Sequence, residues 1–188
     1  MHCAAQLIDP AGRVLTEVTE GIAGRVTADL LLFRRSGVVT GGSGALLSRR
    51  VFEEAGGFDP RLSTSADWDF FYRVGLRRPF GFLAEPLVQM RMHRANMRAN
   101  THAMEHDMLL AFEKAFQDPA LEIRRLRRKA YGTLHLVLAA CFFRAGRWEK
   151  SVAYAWRSVL AWPPAGVDVA SRLARRLWQP SAAEPGPR

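Results

Sequence analysis

Cysteine is scarce in this 188-residue sequence, lysine is nearly absent, and no long apolar run occurs. The two cysteines, Cys3 and Cys141, lie far apart and form neither a C-x-x-C pair nor a zinc-ligand pattern. That excludes a disulfide-stapled scaffold and leaves two reduced, partly buried thiols, as expected in a reducing compartment. A membrane-spanning helix needs about 18 or more consecutive apolar residues. The nearest approach, 134–143, is shorter and contains His135. Met1-His2-Cys3 runs straight into strand-like residues without a basic leader and apolar run, so no signal peptide is expected. Neither G-x-x-x-x-G-K nor G-x-G-x-x-G is present, which excludes two well-known glycine-rich phosphate loops. The expected location is the cytoplasm, free or attached peripherally to the inner face of the membrane.

What is present bounds the answer from the other side. The chain is 48% hydrophobic, enough to bury a core and to exclude global disorder. Its net charge of +9 is carried almost entirely by arginine. Such a surplus suits anionic partners: nucleic acid, phospholipid headgroups or a diphosphate substrate. Arginine enrichment through genome base composition is the plainer reading, and composition does not choose between them.

In chain order, 2–8 reads as a strand, Asp9-Pro10-Ala11-Gly12 as a turn, and 13–18 as the return strand of a hairpin. Val26, Leu30, Leu31 and Phe33 are close to helical spacing and predict a short helix over 24–36. A Gly/Ser-rich stretch leads to a short strand at 45–47 and a helix at 49–55, capped by Gly56 or Gly57. Ser63-Thr64-Ser65 followed by acids signals a helix over 66–77, with Trp68, Phe71, Tyr72 and Leu76 inward. A short strand at 80–83, a kink at Glu85-Pro86 and a strand at 87–92 follow, then a helix over 101–117 that Asp118-Pro119 breaks. The domain boundary is placed at 119. Residues 120–180 read as a basic cluster (Arg124, Arg125, Arg127, Arg128, Lys129), two helices meeting near Gly146, and an amphipathic helix over 167–178. The tail 181–188 is expected to be disordered.

Several of these residues invite chemistry. Asp67 and Asp69 flank Trp68 at a helix start, where acids serve the helix dipole. The same position can put a carboxylate within reach of a hydroxyl, as a general base requires. His93, leaving an apolar strand, is either a satisfied polar residue or a contact for a metal or phosphate. Gly41-Gly42-Ser43-Gly44 would let backbone approach a ligand closely.

The order of these motifs is more telling than any one of them. A Gly/Ser turn precedes R-R-V-F-E-E-A-G-G-F-D (49–59), then D-W-D-F-F-Y-R (67–73), then E-P-L-V-Q-M-R-M-H-R-A-N (85–96). Over residues 1–100 the pattern resembles the C-terminal half of the catalytic domain of family-2 glycosyltransferases. The resemblance implies an α/β fold: an incomplete GT-A-like mixed sheet with helices, followed by an all-α appendage. It implies Asp67 as the base that activates an acceptor hydroxyl. Trp68, Asp69, Gly42 and Ser43 would bind the acceptor, and His93, Arg91 and Asn96 would contact a diphosphate or metal. It also implies a nucleotide-sugar donor, a glycan or lipid-linked acceptor, and a divalent cation, Mg2+ or Mn2+. The residue before Asp67 is Ala66, where such enzymes usually carry glutamate. The nucleotide-binding half of the family, which supplies the main metal ligands, has no counterpart in the pattern, so the chain alone is expected to be weak or inactive.

Beyond residue 119, Ala139, Phe142, Gly146, Trp148, Ser151, Ser158 and Pro163 fall at spacings similar to a tetratricopeptide-type hairpin, whose repeat is about 34 residues. A generic helical hairpin is the plainer reading. The helix over 167–178 would suit an anionic membrane surface, or simply a solvated basic face. The basic cluster lacks interleaved aromatics, which argues against nucleic acid. The alternative to a transferase is a helical adaptor carrying a decayed transferase domain.

Overall fold

The computed structural model describes residues 1–34, 38, 41–92 and 100–164. Its centre is β1 (His2–Ile8), whose residues His2 to Ala5 and Ile8 are buried. β1 pairs antiparallel with β2 (Val14–Val18) and parallel with β3 (Phe82–Arg91), giving the order β2-β1-β3. The hairpin turn forms as its Pro and Gly require: Gly12 adopts φ 89°, and its N–H donates to the Asp9 carbonyl at 3.0 Å.

β3 is one strand of ten residues rather than two pieces split at Glu85-Pro86. The register with β1 shifts on either side of Ala4, which pairs with Pro86, while Cys3 pairs with Leu83 and Ala5 with Val88. The extra residues bulge out of β3, and Pro86, lacking an N–H, sits where the ladder is already interrupted. Two other expected elements are shorter. The helix α1 covers only Thr27–Leu31, because Phe33 turns the chain with φ 47° and stacks on Phe112. The strand expected at 45–47 reduces to one bridge between Ala45 and His2, with Leu46 exchanging backbone hydrogen bonds with Met1.

The remaining helices are α2 (Arg49–Glu54), α3 (Ala66–Arg77), α4 (Thr101–Ala115), α5 (Leu121–Arg144) and α6 (Trp148–Ala161). α3 is covered on two sides, which the single inward stripe expected for it did not allow. Phe70, Phe71, Tyr72, Val74 and Gly75 are all buried, whereas Trp68 and Leu76 are half-buried. One hydrophobic core runs from Val26 of the first helical layer through Phe112 of α4 to Leu134, Phe142 and Tyr154 of the last hairpin. The fold is therefore α/β: a small mixed sheet with helices, consistent with a partial GT-A-like domain, followed by a helical C-terminal part.

α5 and α6 form an antiparallel hairpin. Gly146 takes φ 70°, and the N–H groups of Gly146 and Arg147 cap the Phe143 and Phe142 carbonyls. α5 alone is 24 residues long, which leaves little of a repeat of about 34 residues for its partner. The structure supports a helical hairpin and nothing more specific. The two helices approach closely at Gly132, where Ser158 Oγ donates to the glycine carbonyl at 2.7 Å. A Cβ there would lie 2.6 Å from Trp162 Cβ. Gly132→Val should therefore lower stability by about 1–2 kcal/mol in urea unfolding, although any side chain improves helix propensity over glycine.

Candidate functional site

The Gly41–Gly44 stretch forms a single 3₁₀ turn. One end is tied to the sheet, where Cys3 Sγ lies 3.6 Å from the Gly44 carbonyl. The other end meets the start of α3. Gly41 has φ 59°, and a Cβ at this position would strike the Asp67 carboxylate. Only glycine lets the turn and that carboxylate approach so closely. Gly42 and Ser43, next in the turn, are exposed. Asp67 is half-buried, and its Oδ1 accepts the Trp68 N–H at 2.7 Å. A carboxylate in the first turn also sits favourably in the field of the helix N-terminus.

Asp69, two residues on, has the opposite environment. It is 2% exposed. Arg73 Nη2 approaches its Oδ2 at 2.9 Å and Lys114 Nζ its Oδ1 at 2.8 Å. Arg73 also donates to the carbonyls of Ala55 and Gly57, so the pair fastens the Gly56-Gly57 turn to α3. Lys114 continues to Asp59 at 2.5 Å, and Arg61 grips the same carboxylate from its own side. Arg61 first, and Lys114 with it, hold the Asp59 carboxyl far below the usual range. Phe58 of this turn packs on Phe52 and Phe70. Asp69 thus faces these cations rather than an open acceptor pocket. The D-x-x-x-R spacing of Asp69 and Arg73 was the signal for this pair, since residues four apart on a helix are neighbours.

The chain just before α3 is held from α4. Asp107 Oδ2 accepts from the backbone N–H groups of Ser63, Thr64 and Ser65 at 2.7, 2.6 and 3.2 Å. The Ser63 and Thr64 hydroxyls donate to the same oxygen. The serine and threonine side chains that signalled a helix cap are spent on Asp107, and Ser65 makes no side-chain cap. Burial opposes the charged form of Asp107, but the His106, Ser63 and Thr64 hydrogen bonds outweigh it and bring its pKa down to about 2.

Trp68 lies in a stack between Tyr72 and Phe112, with ring centroids 5.5 and 5.0 Å away. Its Nε1 is buried without a hydrogen-bond partner. Arg91, at the end of β3, donates to the carbonyls of Asp9 and Pro10 at 3.1 and 2.8 Å, which braces the hairpin turn. His93 and Asn96 lie outside the described residues. Among the described residues no three His, Cys, Asp or Glu side chains converge to hold a metal ion. With Asp69 and Asp59 already paired to cations, these residues do not fit a divalent-cation centre. Sequence patterns gave no hint of an apolar cleft of about 570 Å³ between Met1, Leu46, Val51, Phe70 and Phe80, with Arg78 at its margin.

A family model described as "Glycosyltransferase like family 2" matches residues 3–121, well over half of the chain. Searches of curated proteins and of solved structures found no match.

Two measurements separate the neighbouring acids. Asp69→Ala should cost about 2 kcal/mol in chemical unfolding, because it removes a buried carboxylate shared by the half-buried Arg73 and Lys114. Asp67→Ala, at a half-exposed site, should cost under about 1 kcal/mol. Asp107 makes a pH-dependent contribution. Its folded pKa is lowered, so its stabilisation, roughly 2 kcal/mol, is present above about pH 5 and fades as pH falls toward 2. The stability gap between the wild type and Asp107→Asn should therefore narrow over that interval in denaturant titrations.

Proposed function

The chain belongs to the glycosyltransferase-like family 2, and from that premise we propose that it transfers a sugar from a nucleotide-sugar donor to a hydroxyl of a glycan or lipid-linked acceptor. The observation that carries the assignment of roles is the contact of Asp67 with the glycine turn. A half-exposed carboxylate meets a turn in which a side chain would block the approach. The neighbouring carboxylate, Asp69, is held away from substrate by Arg73 and Lys114. In this reading Asp67 is the base, and Asp69 positions it by fixing α3.

The step is a displacement. Asp67 accepts the proton of the acceptor hydroxyl, and the oxygen attacks the anomeric carbon of the donor sugar. The bond from that carbon to the diphosphate oxygen breaks, and the diphosphate leaves with the electron pair. A base contributes by holding the acceptor oxygen and taking its proton as the new bond forms, an effect of about 10²–10⁴ in rate. Gly42 and Ser43 offer an exposed backbone and a hydroxyl beside Asp67 to orient the acceptor. Trp68, its ring stacked between Tyr72 and Phe112, supports the same corner from the core side. Arg91, with His93 and Asn96, belongs to the diphosphate side. Residues 1–119 form the transferase-like part, and 120–180 an appendage whose first helices share its core. No helix among the described residues is long and apolar enough to cross a membrane. We assign the reaction to the cytoplasmic side, where nucleotide sugars are available.

The test is transfer of radiolabel from a panel of nucleotide sugars to extracted glycans and lipids by the purified chain. By the chain alone, weak or no transfer is expected; with a nucleotide-binding half supplied as a second polypeptide, transfer is expected with at least one donor. Asp67→Asn should lower it by about 100-fold or more, with an unchanged thermal midpoint. Equal transfer by the variant would remove Asp67 as the base. Neither transfer nor donor hydrolysis with any sugar, even with that half supplied, would overturn the transferase reading.

A further inference from the structure

Among the described residues, nothing covers one helix face of the C-terminal hairpin. α6 packs on α5 through Ser151, Tyr154 and Ser158, all buried. Its outward side carries Trp148, Val152, Trp156 and Leu160, each at least 60% exposed. A spacing of four residues sets them along one side of the helix over about 18 Å. Phe143, in the last turn of α5, extends the strip and meets Trp148 edge-on at 4.6 Å. A helix that is apolar on both faces is normally covered on both. A contiguous exposed strip with two indoles marks a contact surface.

The distribution of charge decides what kind of contact. Residues 1–120 carry fourteen basic and fourteen acidic side chains and are neutral as a group. The hairpin, 121–161, carries nine basic residues against two acids, Glu122 and Glu149. Its cations flank the apolar strip. Arg128 donates to the Ala161 carbonyl, and Lys129 lies over the Trp162 ring, so both sit beside the far end of α6. Arg144 and Arg147 are exposed at the near end and Arg157 along its length. A second copy of the chain would bring two strongly positive hairpins together. Nucleic acid would satisfy the arginines but would leave Val152 and Leu160 against phosphate and water. An anionic bilayer satisfies both: indoles settle at headgroup depth, aliphatic side chains lie just below, and arginines meet lipid phosphates.

We propose that the outward face of α6, with Phe143, docks this protein flat on an anionic phospholipid bilayer. The docking stands on the hairpin alone and does not depend on the transferase reading. The test is co-sedimentation of the full chain with phosphatidylcholine vesicles, with and without about one third phosphatidylglycerol. Binding is expected to the anionic vesicles, to weaken about tenfold or more on neutral ones, and to fall with added salt. Trp156→Glu and Val152→Glu should each weaken binding about tenfold with unchanged far-ultraviolet circular dichroism. Leu87→Glu, on exposed β3, should bind as the wild type does. Quenching of tryptophan fluorescence by acyl-brominated lipid reads the same insertion without any substitution. The proposal is overturned by no binding, by equal binding to both vesicles, or by wild-type binding of Trp156→Glu. A dimer in sedimentation velocity that Trp156→Glu splits, without loss of vesicle binding, would assign the face to a second copy instead.

Discussion

A carboxylate buried between two cations fixes this molecule. Asp69 is almost wholly withdrawn from water and is compensated by Arg73 and Lys114. Removing charge from water is costly, and a pair of this kind holds only when the geometry is fully satisfied. Satisfying it requires three segments to meet: α3, which carries both Asp69 and Arg73; the Ala55–Gly57 turn, whose carbonyls take the rest of the guanidinium; and α4, which delivers Lys114. Asp107, two turns earlier on the same face of α4, grips the residues entering α3. The N-terminus of α3 is thus held from α4 at two points, and the position of Asp67 follows from that clamp.

The same requirement separates two carboxylates only two residues apart. Side chains at that spacing on a helix point in different directions. Asp69 turns into the ionic cluster, and Asp67 turns toward the glycine turn, where no Cβ stands in the way. Helix geometry alone gives the two carboxylates different surroundings. Phe112 carries the arrangement further. Its ring contacts Phe33, Trp68, Phe116 and Tyr131, joining the turn after α1 to α3, α4 and α5. The family match ends at residue 121, where α5 begins, yet the packing does not stop there.

Local signals in the sequence were read well where local chemistry decides the outcome. The Pro-Gly hairpin turn, the glycine stop after α2 and the Gly146 turn all depend on one or two residues with particular backbone needs. The resemblance carried the family for the same reason, through short motifs in order. Elements decided at long range were not legible. Pro86 looked like a break because the bulge that accommodates it depends on pairing with Ala4, over eighty residues away. The serine and threonine residues before α3 looked like a cap because Asp107 is more than forty residues downstream. Asp69 looked like a substrate contact because Lys114 cannot be placed beside it from sequence alone.

Charge gives the last instance, and it changes what the composition means. A net +9 invites a link to the diphosphate of a sugar donor. Yet residues 1–120, which hold nearly all of the family-matched region, carry equal numbers of acids and bases. Asp59 and Asp69 in that region spend their charge on Arg61, Arg73 and Lys114. The surplus resides in the hairpin and the chain after it, and the arginines of the hairpin are exposed. Exposed charge is screened beyond about a Debye length, roughly 8–10 Å at physiological salt, so the overall composition does not by itself assign it to the family-matched region. In the hairpin it lies beside the apolar strip of α6. The surroundings of Asp67 are set instead by geometry, through the glycine turn and the first turn of α3.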